Sequence, residues 1–262
     1  MEASRPVTIC HSSELGATER ADFVVVEEPL EIRIDGHPVA VVMRTPGNDQ
    51  ELAVGFLISE GIIGMAEVIR EIKSDPEANR LLIFLHENAA VDLTQLSRHL
   101  YAASSCGICG KKSLDAIFCA FPPIARRESP ARGVLLALPA RLRAGQPSFA
   151  TTGGLHAAGL FDEDGNLLCV FEDVGRHNAV DKVIGHALMN QLEMANSILL
   201  VSGRVSFEIM QKALAARIPT IAAISAPSSL AVDFAKSSGQ RLIGFLRPPS
   251  YNDYSIDAAL IF

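Results

Sequence analysis

The chain has 262 residues, with 23 Lys and Arg against 30 Asp and Glu, and a formal net charge of -7. Apolar residues make up 48% and charged residues 20%, a globular balance able to bury a sizeable core in one large or two smaller domains. The acidic balance argues against general nucleic-acid binding, and no apolar run approaches the length of a membrane span. The opening stretch Met1–Pro6 lacks the basic-then-apolar order of a signal peptide. Cys10, Cys106, Cys109, Cys119 and Cys169 show no disulfide-framework spacing, so a reducing cytoplasm is the expected setting.

Residues 1–22 read as a flexible lead-in. Phe23–Val26 and Leu30–Ile34 read as strands, Asp35-Gly36 as a hairpin turn, and Val39–Met43 as the returning strand. Asn48 and Glu51 have the spacing of a capping box. It predicts a helix running through Leu52, Phe56 and Leu57 and stopping near Gly61. Residues 81–85 predict another strand and 92–103 a helix. The Pro- and Arg-rich stretch 122–133 marks a boundary between an N-terminal α+β domain over 23–124 and a second domain over 134–262. Helical spacing resumes at Leu135, Leu138 and Leu142. Strands then follow at 155–161, 167–172, 197–202, 219–224 and 241–246, with a hairpin around Asp164-Gly165. Helices are predicted at about 177–190, 205–217 and 227–238. Strands alternating with helices predict an α/β sheet with helices packed on its faces.

Before the boundary stands Ser104-Ser105-Cys106-Gly107-Ile108-Cys109-Gly110-Lys111-Lys112. Gly107 and Gly110 favour a loop. Behind it Leu114, Ile117, Phe118 and Phe121 have helical spacing, with Ser113 as N-cap. The two thiols thus sit near a helix N-terminus and beside two ammonium groups, both of which favour thiolate over thiol. A structural zinc site needs four ligands, and no second Cys pair is present. A thioredoxin-like redox role needs a βαβ context that these flanks do not supply. Nucleophilic sulfur chemistry fits best. A nucleotide-binding module with a redox or zinc-binding Cys pair stays open as the alternative, and so does a holdase that binds a cofactor without chemistry. Cys119 and Cys169, flanked by apolar residues, read as inert core thiols.

Three predicted strand-to-helix junctions share one chemistry: Glu172–Asn178 with Arg176 and His177, Ser202–Ser206 with Gly203 and Arg204, and Ser225–Ser229 with Ala226 and Ser228. In an open α/β sheet such junctions collect at the carboxyl edge, where ligands bind. Helix N-termini suit phosphate, and arginine adds a bidentate fork for it. A fourth candidate is the stretch after the last strand, Phe245-Leu246-Arg247-Pro248-Pro249-Ser250. Neither a dinucleotide fingerprint nor a P-loop is present.

These blocks resemble the FdhD family of formate dehydrogenase accessory sulfurtransferases. The likeness rests on Glu27–Leu30, Met43–Gly47, Gly55–Leu57, Ser105–Gly110, Thr152–Ala158, Glu172–Lys182, Ser202–Arg204 and Ser225–Ser228. The resemblance implies a cytidine deaminase-like three-layer C-terminal domain beside a smaller N-terminal domain. It implies a cytoplasmic sulfur carrier between a cysteine desulfurase and the molybdenum cofactor of formate dehydrogenase. Cys106 would take a persulfide, and Cys109 would help to release the sulfur. The cargo implied is Mo-bis-molybdopterin guanine dinucleotide, bound by Arg176, His177, Asn178, Gly203, Arg204, Ser206, Ala226, Ser228 and residues 245–250. A homodimer is implied, with no nucleic acid, membrane or resident metal. Deaminase zinc chemistry is not expected: the His-x-Glu element is missing, because His156 is followed by Ala157-Ala158, and Ser105 stands where a proline would precede Cys106. The family's C-terminal segment has a glycine after the arginine, where this chain has Pro248-Pro249.

Overall fold

The computed structural model describes residues 3–14, 16–89, 91, 117–118 and 120–255. Cys106, Cys109, Lys111, Lys112, Ser113, Cys119 and the helix expected at 92–103 lie outside the described residues. The twelve strands, six α-helices and one 3-10 turn (Ala66–Val68) of the described residues start with a hairpin of β1 (Ser4–Ser13) and β2 (Gly16–Val25). Here the sequence reading is corrected: residues 4–25 are paired strands, not a frayed lead-in. Alternation is weak because both faces are largely solvent-exposed, so no buried stripe marks them.

A four-stranded sheet follows, in the order β4-β3-β6-β5, from β3 (Glu28–Ile34), β4 (His37–Arg44), β5 (Ile69–Asp75) and β6 (Arg80–Leu85). Its inner face carries Leu30, Ile32, Ile34, Val39, Leu81 and Ile83, packed under Leu52, Leu57 and Ile58 of α1 (Asp49–Ser59). Strand β5 escapes sequence reading because Ile69 and Ile72 stand alone among charged residues. Asn48 precedes α1 in a left-handed conformation, φ 55, and its side chain caps no backbone N–H. Its amide instead reaches Glu51 Oε1 at 3.5 Å, so the predicted capping box is half made.

The second sheet runs β12-β11-β10-β9-β7-β8. Its strands are β7 (His156–Phe161), β8 (Leu167–Asp173), β9 (Ile198–Val201), β10 (Thr220–Ala223), β11 (Arg241–Arg247) and β12 (Ser250–Asp253). Strands β9, β10 and β11 are parallel, while β7 is antiparallel to both β8 and β9. Side chains alternate between two cores, as strand pleating requires. Ala158, Leu160, Leu199, Val201, Ile221, Ala223 and Leu242 meet α4 (Arg176–Met189), α5 (Phe207–Ala215) and α6 (Ser229–Ser238). On the other face Ala157, Phe161, Ile198, Leu200, Ala222 and Ile243 meet Leu135, Leu138 and Leu142 of α2 (Arg132–Ala144). This is the three-layer α/β arrangement expected of the C-terminal part. The short α3 (Pro147–Thr152) and β12 were not foreseen, being too short for a period to show.

Helix α1 has apolar residues all round because it is covered twice, by its own sheet and by α4. Gly55 and Gly185 make that crossing: a Cβ at Gly55 would overlap the Asp181 carbonyl, and one at Gly185 the Glu51 carbonyl. The C-terminal end of the segment behind the thiol loop is anchored on the same side. Ile117 is buried in the α4–α6 core, and Phe118 stacks on Phe234 of α6 at 5.3 Å.

Candidate functional site

Because β8 runs parallel to β9, the ends of β8, β9, β10 and β11 emerge at one edge, together with the start of β7. The three predicted junctions therefore lie side by side, and hydrogen bonds stitch them together. Val205 N donates to Ala226 O at 3.1 Å and Ser228 N to Val205 O at 2.9 Å, joining the second junction to the third. Phe245 N donates to Ser225 O at 3.0 Å and Arg247 Nε to Ile224 O at 3.1 Å, adding the fourth segment. His177 Nε2 lies 3.2 Å from Ser206 Oγ, tying the first junction to the second.

The arginines at this edge are spared from structural work to different degrees. Arg204 and Arg247 are exposed. Arg176 is half-buried, and its Nε is buried with no hydrogen-bond partner among the described residues. A buried donor left unpaired costs about 1–3 kcal/mol. Gly203 lets the edge close up: a Cβ there would stand 3.2 Å from His156 Nδ1. Burial lowers the His177 pKa to about 4, helped by Arg176 and Lys212. Burial also lowers the His156 pKa, with the charges of Arg176 and Arg204 acting in the same direction. At neutral pH both rings are uncharged, and the arginines supply the positive field.

Other predicted residues serve the architecture. Asn178 donates through Nδ2 to Met43 O at 2.8 Å and Asp173 Oδ1 at 2.9 Å. Asp173, 0% exposed, also accepts from Thr45 N and Gly175 N and pairs with Lys182 Nζ at 2.8 Å. Lys182 donates to the carbonyls of Thr45 and Glu172, and the Glu172 carboxylate accepts from Ser148 N and Phe149 N. Much of the Glu172–Lys182 block thus clamps the loop after β4 to the first junction. Ser228 caps α6, its Oγ accepting from Ala231 N at 3.2 Å. Leu246 points into the α2 core, leaving only its backbone for a ligand. Pro248-Pro249 is a cis peptide in the turn between β11 and β12. Phe245, at φ 51, holds its ring out to solvent.

Sequence reading missed a buried polar cluster behind this edge. Lys212 Nζ donates to Ser59 Oγ at 2.9 Å and Glu60 Oε1 at 2.8 Å, and pairs with Asp181 Oδ2 at 3.0 Å. Ser59 Oγ is 2.8 Å from Asp181 Oδ1. Burial raises the Asp181 carboxyl to about 6, so it is ionised at neutral pH. Burial opposes the Lys212 ammonium, but the Asp181 and Glu60 carboxylates outweigh it and raise its pKa. The available signal was a charge set inside otherwise apolar helical faces, Val180-Asp181 and Met210-Gln211-Lys212-Ala213. Among the described residues, no group of three or more His, Cys, Asp or Glu is placed to hold a metal ion. No helix among them is long and apolar enough to cross a membrane.

A mixed six-stranded sheet between helices, with Arg176, Arg204 and Arg247 at the strand-to-helix junctions and turn of its carboxyl edge, defines a three-layer α/β protein with a cationic sheet edge. The chain belongs to the FdhD/NarQ family, whose model matches residues 25–261. It is similar to the sulfur carrier protein FdhD of Mycolicibacterium paratuberculosis, 48% identical over 97% of this chain and 98% of that one. The sulfur carrier protein FdhD of Streptomyces avermitilis is 49% identical over 90% of this chain and 88% of its own. That of Sulfolobus acidocaldarius is 43% identical over 89% of both chains. The fold is shared with the crystal structure of a Desulfotalea psychrophila protein described as a candidate formate dehydrogenase accessory protein. The TM-score is 0.80 at 27% identity, covering 99% of this chain and 100% of that one.

Proposed function

We propose that this chain is a persulfide sulfurtransferase acting between a cysteine desulfurase and the molybdenum cofactor of formate dehydrogenase. The observation that carries the reading is the set of Arg176, Arg204 and Arg247 at one sheet edge, in a chain 48% identical to a sulfur carrier protein. In the transfer, the Cys106 thiolate attacks the outer sulfur of the desulfurase persulfide. The S–S bond of the donor breaks, the desulfurase thiolate leaves, and the sulfur remains on Cys106 as a persulfide. The Cys109 thiolate then attacks Cys106 Sγ. A Cys106–Cys109 disulfide forms, and hydrosulfide departs to the molybdenum of the bound substrate. The two electrons come from the thiol pair, and a cellular thiol reductant restores it. Lys111, Lys112 and the helix expected behind them favour the anionic sulfur forms.

The cargo, Mo-bis-molybdopterin guanine dinucleotide, is strongly anionic. Arg176, Arg204 and Arg247 offer guanidinium forks to its phosphates, and Gly203, Ser206, Ala226, Ser228 and the 245–250 turn offer backbone and hydroxyl groups. His177 lends a neutral ring. Two nucleotide halves in one cargo match two copies of this edge, and hence a homodimer in the cytoplasm. The test is loading with a desulfurase and cysteine, followed by intact mass. An adduct of about 32 Da that reductant removes is expected, and it disappears in Cys106→Ala. Persistence of the adduct in that variant sinks the assignment of the carrier sulfur.

A further inference from the structure

Two serines begin helices at the arginine edge in the same extended backbone, Ser206 at φ -94 and ψ 173, Ser228 at φ -83 and ψ 161. Ser228 caps α6 with its hydroxyl, whereas the Ser206 side chain caps no backbone N–H of α5. Serine in this place normally caps, so the Ser206 hydroxyl is diverted. It meets two other side chains: His177 Nε2 of the first junction, at 3.2 Å, and the carboxylate of Glu208 in the first turn of α5. Glu208 is half-buried. Burial works against its charge, but hydrogen bonds from the Ser206 hydroxyl and from its own backbone N–H outweigh that and hold its pKa below the ordinary value. The carboxylate is therefore ionised at neutral pH and can only accept. Lys212, about one turn further along α5, is taken up by Ser59, Glu60 and Asp181.

A hydroxyl has one proton to give. The Glu208 carboxylate is the stronger acceptor and takes it. His177 Nε2 must then carry the ring proton and donate to Ser206 Oγ, and the neutral imidazole keeps its lone pair at Nδ1. No described residue supplies that nitrogen with a hydrogen bond. We propose that Glu208 is a positioning residue for this edge: acting through Ser206, it fixes His177 in the Nε2–H form and so presents an unprotonated Nδ1 beside Arg176. This role rests on the cargo reading above and adds to it a residue that touches no cargo itself. The division of labour follows from polarity. Guanidinium groups take anionic oxygens, whereas the Nδ1 lone pair repels them and takes an O–H or N–H group of the same ligand. With the proton on Nδ1 instead, the ring would be one more donor for an anion, and that distinction would be lost.

The experiment has two readouts on the full chain at neutral pH: proton–nitrogen correlation spectra of the imidazole rings, with His177 assigned by the signals missing in His177→Gln, and calorimetric titration with GDP. The wild type shows His177 protonated on Nε2 alone; a proton on Nδ1 overturns the role whatever the variants do. In Glu208→Gln and in Ser206→Ala the two tautomers mix, and the same single tautomer in both variants overturns it as well. GDP affinity separates positioning from charge. Glu208 is an anion close to Arg176, so neutralising a mere bystander would tighten the binding of an anion. Neutralising a positioning residue weakens it: Glu208→Gln, checked as folded by a thermal melt, loses about tenfold, the scale of one hydrogen bond. In the His177→Gln background the same change costs nothing further, because both act through one ring. Equal or tighter binding of GDP by Glu208→Gln overturns the positioning role. If the wild type binds no GDP while Glu208→Gln still disturbs the His177 tautomer, the cargo reading falls and the positioning stands.

Discussion

Lys212 of α5 pairs with Asp181 of α4 at 3.0 Å, and the same ammonium holds Ser59 and Glu60 at the end of α1. One charge thereby ties the helix covering the N-terminal sheet to two helices covering the C-terminal one. The cluster also lies next to His177, whose pKa Lys212 helps to lower while Glu60 acts the other way. A buried ion pair is worth little net, but removing one partner strands the other.

Lys212→Ala should therefore cost about 3–5 kcal/mol, because Asp181, 2% exposed, loses the ammonium that favours its charged form and must either stay ionised without it or take up a proton. Replacing the pair together, Lys212→Met with Asp181→Leu, recovers much of that loss. Urea unfolding midpoints of the three proteins decide it. A single variant as stable as the parent would show that the cluster carries no structural weight.

Stability should depend on pH through His177. Its folded pKa of about 4 lies below the ordinary 6.5, so between those values the unfolded chain binds more protons than the folded one. The contribution of His177 to stability then falls as pH drops from about 6.5 to about 4, while Asp181, raised to about 6, acts in the opposite direction. In His177→Gln the part of this slope belonging to one proton disappears. Denaturation midpoints read at several pH values through that window test it, and identical slopes in both proteins refute it.

Gly55→Ala should unfold or severely destabilise the protein. The added methyl meets the Asp181 carbonyl at the α1–α4 crossing, where backbone faces backbone and no rotamer can yield. A loss beyond about 3 kcal/mol is expected, seen as a large fall in melting temperature or as insolubility.

Asn178→Ala should cost about 1–3 kcal/mol by unpairing Met43 O and Asp173 Oδ1. Urea unfolding measures the loss. A variant of unchanged stability would mean that the amide clamps nothing.

Arg204→Ala removes an exposed guanidinium that is not spent on the fold, so melting temperature stays put. GDP affinity, measured by titration, falls about tenfold, the loss of one charge-assisted phosphate contact. Equal affinity in the two proteins would reduce the second junction to helix geometry.

The alternation of strands and helices beyond residue 155 was legible in the sequence because each strand is a short apolar run and each helix has a buried face. Their junctions were legible too, since Gly, Ser and Arg stand where the period changes. Strand β5 was not, because its exposed residues erase the alternation, and neither was the β1–β2 hairpin, whose two faces both meet water. The Cys106 and Cys109 motif was found by residue type and spacing alone, and it lies outside the described residues.

By itself, the sequence determined which chemistry the chain carries: paired thiols, three arginine- or hydroxyl-bearing turns, and an α/β order of elements. Only the tertiary structure decided which groups are free to use it. It spends Asn178, Asp173 and Lys182 on the clamp to Thr45, while it leaves Arg176 Nε without a partner among the described residues. The reason is that hydrogen-bond satisfaction is set by neighbours far apart in the chain, such as Met43 and Asn178, which no local pattern relates.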